Sequence, residues 1–481
     1  MIQRYALIVV LSLTATLAQS AGMGEADARH LLARTGFIPT AEELSTYAQL
    51  DRTAAVDRLL TQSTPQALTP VPADLAEYTP PPEHLKDMSA DEKKQFHRQQ
   101  AQRGLELRAW WMQEMVITPS PLTEHMTLFW HNHFVSSLQK VKSASLMLNQ
   151  NELLRRDALG NFADMLHAVA KDPAMILYLD TQQNHKAQPN ENFAREVMEL
   201  FTLGIGHYTE QDVKEAARAY TGWGIDRNTG TFVNRPFQHD NGSKTILGQT
   251  GNFNGDEVLD ILLQQPATAE WITEKIWRDF ISTDPDPATV KRNAAIFRQH
   301  YEIRPLLRAI LLSDAFWANR NRANLIKSPV ELLVGSVREL NIQQLDPRLL
   351  AIASRQLGQD LFAPPNVKGW PGGDTWINST TLLLRKQFLD RLTRGAEMPI
   401  PKQLPADSAP PGVTAGDEQQ MTPLDYTPEN GLNHIAGQPD EQRRLAERLL
   451  LDMAPGEPIA ANLPAADYIH ALILDPAYQL K

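Results

Sequence analysis

The sequence predicts a mainly α-helical protein, one large irregular helical domain with a loop-rich or short β-hairpin insertion near 223–255. Three observations carry this expectation. Apolar residues recur at helical spacing along most of the chain, and capping signals precede several of those runs. The periodicity then breaks between Trp223 and Gly255, where glycines and the alternating Thr231, Val233 and Phe237 favour a hairpin or an irregular loop.

Arg4 followed by the apolar run Tyr5 to Leu17 and by Ala18-Gln19-Ser20 has the form of an export signal over residues 1–20, so the mature chain is expected to begin near Ala21. Gly24 to Thr35 places Ala28, Leu31, Leu32 and Thr35 at helical spacing, and Gly36 stops it. Thr40-Ala41-Glu42-Glu43 has the form of a capping box, so a second helix follows. Prolines from Pro65 to Pro82 mark a connector, and Asp91 to Ile117 resumes a long helix. Further helices are expected at 122–138, 143–157, 160–171, 190–203 and 210–222, and again from Asp256 to about Leu357. Together these make a main helical domain over 21–396. Seven prolines between Met398 and Glu429 predict a linker over 397–435, with short helices near 440–453 and 464–474 in a C-terminal part over 436–481.

The 481 residues include no cysteine, which excludes disulfides, thiolate metal sites and a cysteine nucleophile. The sequence names no cofactor. A divalent metal, if one binds, must be held by His, Asp, Glu or Asn. A net charge of -11 opposes non-specific binding to nucleic acid or anionic lipid. Past the signal no segment approaches the roughly 20 apolar residues of a membrane-spanning helix, so no transmembrane anchor is expected after cleavage. The expected location is the periplasm or the cell exterior.

Four segments concentrate polar and aromatic side chains that helical packing does not require: 129–134 (Phe-Trp-His-Asn-His-Phe), 190–199, 239–245 and 364–376. Such groups are costly to bury without partners, which predicts a polar pocket. On a helix His131 and His133 lie about 200° apart and cannot clasp one metal. His133 reads as a core histidine or a site residue, and His131 as a pocket candidate on a stripe with Glu124 and Thr127. Asn192, Glu196 and Glu199 share another stripe. The two glutamates read either as metal ligands or an acid and base, or, for Glu199, as an ordinary i,i+4 surface partner of Arg195.

His239-Asp240 precedes an Asn241-Gly242 turn, with Lys244 in the same glycine-bounded loop; this reads as a ligand-contacting loop or as a self-stabilised turn. Gly242-Ser243-Lys244-Thr245 is no phosphate loop, because Phe237 stands where the first glycine is required. Trp370 and Trp376, flanking Asp374, are either a sugar platform or anchors of a proline-glycine loop. No Gly-x-Ser-x-Gly elbow, His-Glu-x-x-His helix or dinucleotide glycine motif occurs.

From about Ala28 to Lys386 the chain resembles the secreted bacterial family known as domain of unknown function 1800. The marks are His30 to Phe37 with Pro39-Thr40, Phe129 to Phe134, Asn190 to Gly206, Tyr208-Thr209-Glu210 with Thr221-Gly222-Trp223, His239 to Thr245 with Leu247-Gly248, and Pro364 to Asn378. The resemblance implies export, a mainly helical fold and genes often adjacent to exported phosphatase- or sulfatase-like proteins; it implies no reaction.

Two functions are therefore expected in competition. One is a hydrolase-like enzyme acting on a polar polymer such as a polysaccharide, with His131, Glu196, His239 and Asp240 as catalytic candidates and Asn192, Lys244, Trp370, Asp374 and Trp376 as substrate contacts. The other is a non-catalytic binding or assembly partner of an exported phosphatase- or sulfatase-like protein.

Overall fold

Polar caps set where the helices begin. Glu43 N–H donates to Thr40 Oγ1 at 3.2 Å while Thr40 N–H donates to Glu43 Oε2 at 2.7 Å, and the same reciprocal arrangement opens helices at Ser89, Thr209, Asn254 and Ser328. The computed structural model describes residues 22–82, 87–342, 345–394, 439–460 and 462–481. The expected export signal and the expected 397–435 linker lie outside the described residues.

The described chain is mainly helical, as periodicity predicted. Glu25–Thr35, Ala90–Ile117, Ala144–Asp157, Phe162–Ala170 and Glu210–Ala219 all fall within a few residues of their expected bounds. The 122–138 expectation is cut short. Pro121–His133 ends where Phe134 leaves helical geometry (φ -98°, ψ 69°), and Ser137 caps a separate Leu138–Val141 turn. Serine there competes for backbone N–H groups and restarts the helix rather than continuing it.

The break after residue 222 holds two antiparallel hairpins: β1 (Trp223–Ile225) with β2 (Phe232–Asn234), and β3 (Lys244–Ile246) with β4 (Gln249–Gly251). The second turns through Leu247 (φ 48°) and Gly248 (φ 80°), the double positive φ of a tight hairpin. Asp212 Oδ1 accepts from Leu247 N–H at 2.7 Å and holds the non-glycine residue there.

Two apolar cores form. One gathers the N-terminal helices, the 162–170, 192–202 and 210–219 segments and the helices between 255 and 311. The other gathers Ala90–Ile117, Ala144–Asp157, Pro329–Glu339, Pro347–Gln356, Ser379–Arg394 and both C-terminal helices, Pro439–Leu450 and Ala465–Leu474. The C-terminal helices are fastened by charge as well. Buried Arg29 donates to the carbonyls of Leu449 and Leu450 and pairs with Glu339 at 3.0 Å and Asp452 at 3.4 Å. Pro121–His133 runs along the seam, giving Leu122, Met126 and Trp130 to the first core and Leu128 to the second. Among the described residues no helix is long and apolar enough to cross a membrane.

Candidate functional site

The seam helix ends in two histidines that face opposite cores, as a 200° separation requires. His131 is packed among Trp111, Phe362 and Trp370, at ring separations of 5.4, 5.2 and 5.7 Å, and its Nε2 accepts from Phe362 N–H at 3.2 Å. Burial, with Arg108 nearby, pushes its pKa down to about 3. It is a neutral core histidine.

His133 turns to the first core. Its Nε2 meets the carbonyl of Phe201 at 3.1 Å, which only an N–H satisfies, so Nδ1 is the acceptor for Lys275 Nζ at 3.1 Å. Its ring lies parallel to Phe129 at 6.4 Å, and burial drives its pKa well below the usual imidazole range. The two histidines thus share no ligand. Among the described residues no group of three or more His, Asp or Glu side chains is placed to hold a metal ion.

Between them, Asn132 reaches the 364–376 segment. Its Oδ1 accepts from Trp370 N–H at 2.7 Å and its Nδ2 donates to Trp370 C=O at 3.2 Å. Gly369 permits this approach: it holds φ 81°, and a Cβ there would stand 2.2 Å from Asn132 Oδ1. Trp370 and Trp376 are both buried, the arrangement of loop anchors, while Asp374 is exposed.

The 190–203 expectation resolves into Asn192–Glu196 followed by a π-turn over Val197–Thr202, in which Leu203 N–H reaches Met198 C=O at 2.8 Å and Thr202 Oγ1 donates to Val197 C=O. The wider turn also leaves the carbonyl of Leu200 to Trp271 Nε1–H at 2.9 Å, which ties in the Pro266–Phe280 helix. Glu196 is half-buried. Burial and then the neighbouring Glu199 raise its pKa, against the pull of Arg195 and Lys368. The expected Arg195–Glu199 pair does not form. Arg195 pairs with Glu210 at 2.8 Å and Glu191 at 3.1 Å, because the loop after residue 203 brings Glu210 across; Glu199 instead accepts from Tyr208 O–H at 2.5 Å. Asn192 is exposed, its N–H bonded to Asn190 Oδ1 at 3.0 Å.

The fourth segment is held elsewhere. Asp240 takes a two-pronged bond from Arg218, at 2.7 and 3.1 Å, and accepts from Gly242 N–H at 2.8 Å; Arg218 holds its pKa down at about 2. His239 Nδ1 lies 3.0 Å from Thr221 C=O. Lys244, 1% exposed, donates to the carbonyls of Asp240 at 2.6 Å and Gly242 at 3.0 Å. These contacts bind the loop to Glu210–Ala219 and to itself, with partners distinct from those of His131 and Glu196.

Asn132 therefore ties the 129–134 segment to 364–376, and His133 ties it to Phe201 just past 190–199, while the described contacts of 239–245 run to other partners. Glu196, Glu199, Tyr208, Lys368 and Lys275 keep access to water at the margin, with Phe129 and Trp271 half-buried. Sequence reasoning missed Lys275, whose spacing from Trp271 looks like any helix face, and Tyr208. It placed Glu124 beside His131 without its partner. Glu124 is the acceptor for Arg155 at 2.5 and 2.8 Å and for Trp111 Nε1–H at 2.7 Å, wholly inside the protein.

A family model described as "Protein of unknown function (DUF1800)" matches residues 30–480, so the similarity runs through both C-terminal helices. No curated protein and no solved structure matches the chain.

Proposed function

The chain belongs to the DUF1800 family, and from that premise we propose that it is an exported binding protein for a polar polymer such as a polysaccharide, held at the margin of the 129–134, 190–199 and 364–376 segments. The observation that carries this reading is the pair Glu196 and Glu199, one helical turn apart and both accessible to solvent, with Glu199 bonded by Tyr208 and Glu196 within reach of the Lys368 charge. Carboxylates accept from sugar hydroxyls, and the half-buried faces of Phe129 and Trp271 suit the C–H faces of a sugar ring. The Arg4 to Ser20 segment supports export.

The test is retention of polysaccharides of differing charge by the purified protein, followed by titration. Glu196→Gln with Glu199→Gln should weaken binding at least about ten-fold, the scale of losing charged hydrogen bonds. Unchanged affinity in the double variant, or no retention of any polymer, overturns the reading.

Hydrolysis is the second reading, favoured by one observation: Glu196 is pushed up by burial and by Glu199, while Glu199 is bonded by Tyr208. Two carboxylates in unlike surroundings are how acid and base roles are divided. New reducing ends released from a bound polymer, and lost in Glu196→Gln, would establish it; a polymer recovered uncut leaves binding alone.

A further inference from the structure

We propose that Lys275 is a reactive amine that captures aldehyde ligands as an imine, with His133 as its positioning residue. The inference stands apart from polymer binding. Lys275 projects from the Pro266–Phe280 helix to His133 Nδ1 at 3.1 Å and lies 5.0 Å from the centre of the Trp271 ring. Among the described residues no carboxylate forms an ion pair with it. On its own helix Glu274 is taken by Arg278 at 2.8 Å and Asp279 by His125 at 2.6 Å. A cation so placed has an aromatic face and a neutral imidazole for company, and burial lowers its pKa to about 8. The side chain nevertheless keeps partial access to solvent.

The hydrogen bond defines what the free amine can do. Since His133 donates through Nε2 to Phe201, its Nδ1 can only accept, and it fixes one N–H of Lys275. The Nζ lone pair is left to attack. It forms a C–N bond to the aldehyde carbon as the carbonyl π pair moves to oxygen. One proton passes from nitrogen to that oxygen through water, and the carbinolamine then expels its hydroxyl as water. Amine and aldehyde give imine and water, with no change of oxidation state.

The test uses the intact wild-type protein, a neutral aromatic aldehyde and borohydride, which reduces any imine to a stable secondary amine, with peptide mass spectrometry to locate the label. At pH 7.5 roughly a quarter of Lys275 is neutral, against about 0.1% of an ordinary lysine. Allowing for its weaker intrinsic nucleophilicity, it should be labelled about ten-fold faster than exposed Lys368. Lys275→Arg, folded by circular dichroism, should lose only the fast-labelled peptide. Labelling of Lys275 no faster than Lys368, or only after denaturation, overturns the proposal.

Discussion

Asn132 grips the backbone of Trp370 on both its polar groups, accepting from the N–H at 2.7 Å and donating to the C=O at 3.2 Å. One amide side chain at the end of the seam helix thus fixes the loop that carries Lys368.

Asn132→Ala should cost about 1–3 kcal/mol, since two backbone groups lose their partners at once. Asn132→Asp, which keeps the acceptor and loses the donor, should fall between. Gly369→Ala should be worse than either, because its Cβ would meet Asn132 Oδ1 at 2.2 Å at a φ of 81°. Urea midpoints rank the three; an alanine at 369 as stable as wild type would contradict the close approach.

Glu124 and Arg155 form an ion pair with side chains 1% and 2% exposed, joined by Trp111 Nε1. Removing one partner strands the other without solvent, so Glu124→Ala should cost about 3–5 kcal/mol. Glu124→Leu combined with Arg155→Met should cost markedly less than the sum of the single changes. Additive losses in that double-mutant cycle would mean the two groups do not depend on each other.

His131 makes the fold acid-sensitive. Its folded pKa, about 3, lies below the ordinary 6.5, so its contribution is complete above 6.5 and is lost as pH falls toward 3. His131→Leu should therefore move the acid-unfolding midpoint to lower pH, even at some cost to stability at pH 7 from the orphaned Phe362 N–H. An unmoved midpoint would show that other groups govern acid unfolding.

Asp172 acts in the opposite sense. Burial raises it to about 7, although Met175 N–H and Gln150 Nε2 donate to it at 2.9 and 2.7 Å. A carboxyl raised above its unfolded value contributes stability below about 4 that is lost as pH rises through about 7, a window of one bound proton. Asp172→Asn keeps an acceptor at the start of Pro173–Tyr178 and should flatten the stability profile between pH 4 and 7. A variant with the wild-type slope would assign that proton elsewhere.

Much of the secondary structure was legible locally. Thr40 and Glu43 announce a helix start by themselves, and Trp223 to Gly255 announces its own break in periodicity, because caps and turns are made by residues close in the chain. The stop at His133 was not legible, since Val135 and the two serines after it could have continued the helix. Arg195 shows the limit for charge: it keeps Glu191 one turn back, but Glu210 from across a loop takes the place that Glu199 could have filled.

For the polar segments the sequence determined which residues are too costly to bury alone, and hence that 129–134, 190–199, 239–245 and 364–376 each needed partners. It also fixed that His131 and His133 must face apart. Only the tertiary structure decided what those partners are. Aromatic rings took His131, an amine took His133, a backbone took Asn132 and a guanidinium took Asp240. The physical reason is that satisfying a buried polar group is a question of which distant chain arrives within about 3 Å of it, and helical spacing governs only the near neighbours.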